Sequence, residues 1–293
     1  SYYPMFLSLT QFSLHSLKFF LFIIMSFSLI SCKSQEINKN SYFLNYDFGG
    51  NYTISCNGII IAESNDSSIS HSYRILNPFI SEKGKQNISL KIKHPNKELK
   101  INPKEIENFF LEIYMSDNGE NAPFKKIKKL TLPPIPKPVD SIFYTWEFEA
   151  DVNYKLENIF DKASDLTKEK PEDLLKDVLK KYEENLTIIN DADINKYSKL
   201  IMDRLQRETT SMYYSEEEKQ NYKNKVLERV KLSKGIMQPI RDYKLVIHPN
   251  NKIVNLVNSK GEPVLYSKDN DSKIRTFGLK LYRDKTTGEL KVY

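Results

Sequence analysis

The chain has 293 residues, 40% hydrophobic, 28% charged and 12% aromatic, a globular composition rather than a disordered one, and its mean hydropathy of -0.53 excludes a multi-span membrane protein. The net charge of +6 comes from 44 basic and 38 acidic residues mixed along the chain without a block of five or six like charges, so no nucleic-acid-binding stripe is present. Two cysteines, Cys32 and Cys56, leave no disulfide framework if Cys32 is modified.

Phe19 to Ile30 is an apolar run without charge, preceded by Lys18 and followed by Ser31, Cys32 and Lys33. The run is shorter than the roughly 20 apolar residues a spanning helix needs. Extending it back to Met5 places Lys18 near the middle of the bilayer, where a charge costs about 2.5–3.5 kcal/mol. Residues 1–31 therefore read as a signal peptide, with a basic flank, an apolar stretch of secretory length and a small-residue cleavage zone between Ser31 and Cys32. The first residue is Ser1, so the start of translation is expected at Met5 or outside this sequence.

"LISC", Leu29, Ile30, Ser31 and Cys32, resembles the lipobox of bacterial lipoproteins. The resemblance implies diacylation of the Cys32 thiol, cleavage before Cys32 and acylation of the new amino terminus, and two or three acyl chains anchor firmly where one binds marginally. Lys33 and Ser34 stand where an aspartate would favour inner-membrane retention, which implies an outer-membrane location facing the periplasm. Residues 32–40 read as the lipidated cysteine and a polar tether.

From 41 to 152 the texture is strand-like. Segments 42–48, 52–56, 59–64, 72–76, 87–94, 109–116, 125–132 and 142–152 are short, rich in β-branched and aromatic residues, and often alternate in period two. Turn signals at Gly49, Asn57–Gly58, Gly84, His94 and Asp117 separate them. Asn57–Gly58 suits a two-residue hairpin, in which both central residues need positive φ. "KKIKKL", Lys125 to Leu130, alternates as a strand with a solvated face, and "PPIPKPV", Pro133 to Val139, is a stiff connection that cannot pair regularly. These features predict an antiparallel β-sandwich that resembles immunoglobulin-like modules in architecture, without their cysteine pair.

Residues 153–168 read as a linker and 169–293 as an α+β domain. Glu169 to Asn190 carries Leu174, Leu175, Val178, Leu179, Tyr182 and Leu186 at helical spacing, with Pro171 in its first turn. A second helix is expected after Asp191, from Ala192 to Tyr214, and a third from Ser215, whose Glu218 completes a capping box, to Lys234 before Gly235. Strands follow at 243–248, 252–259, 263–267, 274–284 and 289–293. Helices followed by a curved antiparallel sheet, with the "NSKGEPVLYS" and "LYRDKTTGELKVY" hairpins, resemble the cone fold of the nuclear transport factor two and ketosteroid isomerase superfamily. That resemblance implies a cavity between sheet and helices.

Catalytic and metal chemistry find little support. Of four histidines, His15 lies in the signal, and His94 and His248 each precede a proline; with His71 they form no ligand spacing, so no metal and no cofactor is expected. "DADIN", Asp191 to Asn195, opens like a calcium loop but has Lys196 and Met202 where glycine and glutamate belong, so its acids read as helix caps. There is no nucleophile elbow and no phosphate loop, and Cys56 at a strand end reads as a buried thiol. Tyr197, Tyr213, Tyr214, Tyr243 and Tyr266 could donate into an isomerase-type cavity, but no base is evident. The expectation is an exported, lipid-anchored, non-catalytic protein with a protein partner in the cell envelope, similar to immunity proteins against antibacterial effectors; the alternative is a small molecule or glycan held in a cavity of the C-terminal domain. The discriminator is structural: a small-ligand binder needs a deep, partly polar cavity, whereas a protein binder needs a filled interior and a charged or aromatic outer patch.

Overall fold

The computed structural model describes residues 38–107 and 109–293. The signal peptide and the lipobox residues Leu29, Ile30, Ser31 and Cys32 lie outside the described residues. Residues 38–293 form one compact unit of α+β type.

The first half is built on one long hairpin. Strands β1 (Ser41–Cys56) and β2 (Ile59–Ile75) pair along their whole length, joined by Asn57 and Gly58 at φ 50 and 75, the left-handed pair the sequence called for. The breaks expected within each strand are bulges instead. Gly49 lies opposite Ile69 and Gly50 opposite Asp66, so the backbone at 67 and 68 bulges out; glycine at φ 103 on position 50 lets β1 bend without ending. β3 (Gly84–Lys93), β4 (Phe110–Ser116), β5 (Lys125–Lys129) and β6 (Ser141–Ala150) complete a six-stranded antiparallel sheet ordered β5-β4-β1-β3-β6, with β2 paired to β1. β4 pairs with residues 41–47 of β1 and β3 with residues 51–56. Each half of the bent hairpin thus carries its own strands, and both halves face one core. Tyr42, Leu44 and Tyr46 meet Tyr52, Ile54, Leu90, Ile113 and Trp146 there, which is the sandwich arrangement.

Residues 153–168 pack rather than dangle: α1 (Ile159–Lys162) lies here, Leu156, Ile159, Ala163 and Leu166 are buried, and the Leu156 and Leu166 N–H groups donate to the Ser81 and Asn251 carbonyls. Four helices follow, α2 (Pro171–Asn190), α3 (Ile194–Leu200), α4 (Met202–Ser211) and α5 (Glu216–Lys231). α5 begins at the expected Ser215–Glu218 capping box. The single second helix expected over 191–214 is two, because Ile201 leaves helical geometry at φ -100, ψ 11. Tyr197 before the break and Leu205 after it enter the same core.

The single curved sheet expected at the end is also corrected. β7 (Lys244–Ile247), β8 (Val254–Val257), β11 (Leu281–Arg283) and β12 (Leu290–Val292) form a four-stranded sheet in the order β12-β11-β8-β7, while β9 (Leu265–Lys268) and β10 (Ile274–Phe277) pair separately. The strand read over 274–284 breaks at Gly278–Lys280 because other groups claim its carbonyls. Arg204 donates to Gly278 O (3.4 Å) and Tyr182 OH to Leu279 O (2.6 Å). A ladder needs those acceptors, so the sheet divides there.

The two halves are joined by buried polar contacts. Ile60 N–H donates to His248 Nδ1 (2.9 Å), Asn250 N–H to Gly58 O (3.2 Å), and Asn77 Nδ2 to Ser211 O (3.1 Å). Ile59, Ile159, Ala163, Ile253, Tyr282 and Tyr293 form a third apolar cluster there.

Candidate functional site

Alternation along β1 sends Tyr42, Leu44 and Tyr46 into the core, so Phe43, Asn45 and Asp47 lie on the outer face. Register extends that face sideways. Phe43 is flanked by Ile75 and Tyr114, Tyr114 by Lys126, Asn45 by Tyr73 and Glu112, and Glu112 by Lys129. The Phe43 ring meets Phe124 edge-on at 5.2 Å and Tyr73 at 6.3 Å. Phe43 is covered by these neighbours, whereas Tyr73 is 67% exposed and Phe124 48%. Large aromatics half out of water on the outside of a sheet are unusual for a surface with no partner.

Charge frames this patch. Glu112 is nearly buried and accepts from Tyr114 OH (2.7 Å) and Lys126 Nζ (3.1 Å). Burial works against its charge, but the Tyr114 and Lys126 hydrogen bonds and the Lys126 and Lys129 charges together hold its carboxyl below the usual range. The pairing raises the Tyr114 and Lys126 pKa values in turn. Glu112 is therefore a fixed anion, and its partners are held rigid beside Phe43. All five residues of β5 are exposed, so Lys125, Lys126, Lys128 and Lys129 form a cationic border along the edge of the sheet. The Asn45 Oδ1 acceptor is buried without a hydrogen-bond partner among the described residues.

The core of the C-terminal half packs around Tyr182, which is fully buried, donating to Leu279 O and accepting from Leu256 N–H (2.8 Å); Ser233 and Ser267 hydroxyls pair at 2.7 Å. A cavity of about 340 Å³ reaches this core at Tyr182, Leu256, Phe277 and Leu279 and is edged by Glu63 and Lys280, and a groove of about 400 Å³ runs along Tyr213, Tyr214, Tyr222 and Asn118. The five tyrosines considered as donors do not converge on one cavity: Tyr197 packs edge-on to Phe277 in the core, Tyr213 and Tyr214 line the groove, and Tyr243 is exposed.

The two reactive side chains Cys56 and His248 are both buried. Cys56 is fully buried, and burial pushes its thiol up to about 12, which makes it a poor nucleophile. His248 is buried and neutral, its pKa lowered to about 3 by burial first and then by the Lys280 charge. Asp193 caps α3 by accepting from Lys196 N–H (3.0 Å), the capping role read from the sequence. Among the described residues no group of three or more His, Cys, Asp or Glu is placed to hold a metal, and no helix is long and apolar enough to cross a membrane.

The outer aromatic patch carried no signal in the sequence, because Phe43, Tyr73, Tyr114 and Phe124 come from three strands and a loop and meet only through register. Comparison with protein-family models, curated proteins and solved structures finds no match for this chain.

Proposed function

We propose that this chain is a lipid-anchored, non-catalytic binding protein of the bacterial envelope, tethered through Cys32, that recognises another protein. Its contact surface is the outer face of β2, β1, β4 and β5. The observation that carries this reading is the rigid aromatic row of Tyr73, Phe43 and Phe124, with two of its members exposed beside a lysine border and the Glu112–Tyr114–Lys126 network. Interfaces concentrate their energy in such aromatic anchors, with a polar rim that excludes water. An envelope lipoprotein that pairs a β-sandwich with an α+β domain resembles the immunity proteins that neutralise antibacterial effectors, which makes a toxic effector the first partner class to try, and the lysine border calls for an acidic one.

The test uses the intact chain in envelope extract, with a photo-crosslinking residue at position 73. A discrete adduct is expected, lost on Phe124→Ser and weakened on Lys126→Gln, with both variants compared as folded chains. No adduct, or the same adduct from a probe at Met202, rejects the reading. Labelled palmitate should enter the wild-type chain and not Cys32→Ser. The alternative, a glycan or small molecule, is favoured only by the groove of Tyr213, Tyr214 and Tyr222, where stacking aromatics face amides; protection of those tyrosines by soluble glycan would support it.

A further inference from the structure

A second site is suggested by the least comfortable charge in the fold. A cavity of about 440 Å³ opens where the sandwich meets the C-terminal half, walled by Phe79, Lys83 and Lys85 on one side and by Ile159, Arg207 and Tyr293 on the other, a volume suited to a small polar ligand. The Arg207 guanidinium stacks on the Tyr293 ring, with its central carbon 3.7 Å from the ring centroid, which fixes its plane. Its Nε and Nη1 atoms are buried with no hydrogen-bond partner among the described residues. An unpaired, desolvated guanidinium is costly unless something anionic completes it.

The hydrogen-bonded carboxylates near Arg207 are already engaged, and Asp203 acts on it only through its charge. Glu208 accepts from Arg204 Nε (2.9 Å) and Tyr222 OH (2.9 Å). In the cavity wall, Glu82 pairs with Lys155 (3.1 Å) and Glu157 with Lys162, while Lys85 is drawn to Glu147 (3.7 Å). Lys83 has no ion-pair partner among the described residues, and Lys280, buried beside Arg204 and Arg207, has none either. Burial first, and those two arginines next, lower the Lys280 pKa to about 8. The wall therefore presents two cations, Arg207 and Lys83, with no paired or hydrogen-bonded carboxylate among the described residues, the Glu208 and Asp203 charges reaching Arg207 only at longer range.

We propose that this cavity is a binding site for the phosphoryl group of a small molecule, gripped by the Arg207 guanidinium against Tyr293 and drawn in by Lys83. A dianionic tetrahedral group matches two unpaired cations, and the planar fork of arginine suits it. The site is separate from the outer aromatic face and stands whether or not that face binds protein.

The experiment is a titration of the intact chain with inorganic phosphate, and in parallel with glycerol phosphate, against sodium chloride at equal ionic strength, read by calorimetry and melting temperature. Saturable binding is expected, with Kd raised at least tenfold in Arg207→Met and about threefold in Lys83→Met. Arg207→Met should melt no lower than wild type in chloride, since it removes an unpaired buried charge. Tighter binding of glycerol phosphate assigns the site to a phosphomonoester, and equal binding assigns it to free phosphate. Stabilisation no greater than that by chloride, or wild-type affinity in Arg207→Met, overturns the proposal. Should Arg207→Met fail to fold, the exposed Lys83→Met decides, unchanged phosphate affinity again refuting it.

Discussion

Acidification should loosen the joint between the two halves through His248. Its Nδ1 accepts the Ile60 N–H (2.9 Å), so Nε2 carries the proton and donates to Asn255 Oδ1 (3.0 Å). Protonating Nδ1 would set one N–H against another in a buried site. The ring's pKa falls from 6.5 to about 3 on folding, through burial and then Lys280. The unfolded state therefore binds more protons between these values, and stability rises with pH across that window. For one site the linkage is small at pH 7, about 2 kcal/mol of lost stability at pH 5, and approaches roughly 5 kcal/mol near pH 3. The assay is urea unfolding at pH 7, 6 and 5, above the range where most carboxylates titrate. In His248→Asn the amide oxygen can still accept from Ile60 but cannot titrate. It should be less stable at pH 7 by about 1–2 kcal/mol through lost packing, yet lose about 2 kcal/mol less than wild type on going to pH 5. Equal pH slopes in the two proteins, or a His248 resonance titrating near 6.5 in the folded chain, would refute the argument.

Other consequences are equally specific. Asn77, fully buried, accepts from Tyr42 N–H (2.7 Å) and donates to Asn40 O (3.0 Å) and Ser211 O (3.1 Å). Asn77→Ala strands those groups and should cost about 3–4 kcal/mol in urea unfolding; a loss below 1 kcal/mol would show that the joint tolerates their absence. A Cβ on Gly58 would sit 2.8 Å from Asn250 Cβ at φ +75, whereas one on Gly235 at φ +72 meets open space. Gly58→Ala should thus cost at least about 1 kcal/mol more than Gly235→Ala, the excess being overpacking; similar melting temperatures for the pair would contradict it. Buried Cys56 should react with a thiol reagent only at the rate of unfolding, and rapid labelling in native buffer would disprove its enclosure.

Much of the secondary structure was legible because it is locally encoded. The apolar spacing of Leu174, Val178 and Tyr182 specified α2, the Ser215–Glu218 box specified the start of α5, and Asn57–Gly58 specified the hairpin. The errors fell where distant groups intervened. Nothing local marks Ile201 as a helix break, and nothing in the strand pattern at Gly278–Leu279 announces that Arg204 and Tyr182 will take its carbonyls. The glycines at 49 and 50 were read as a turn, although a bulge uses the same freedom of φ.

The candidate sites divide in the same way. The lipobox resemblance around Cys32 rests on the sequence alone, since an export address is read from an unfolded segment, and the sequence by itself determined which short runs become strands and helices. Only the tertiary structure decided which residues share a surface. Register placed Phe43, Tyr73 and Tyr114 on one face and set Phe124 against it, while the packing of α4 against Tyr293 left Arg207 stacked on that ring with no hydrogen-bonded carboxylate among the described residues. Side chains contributed by separate elements carry no common spacing, so their meeting is a property of the fold alone.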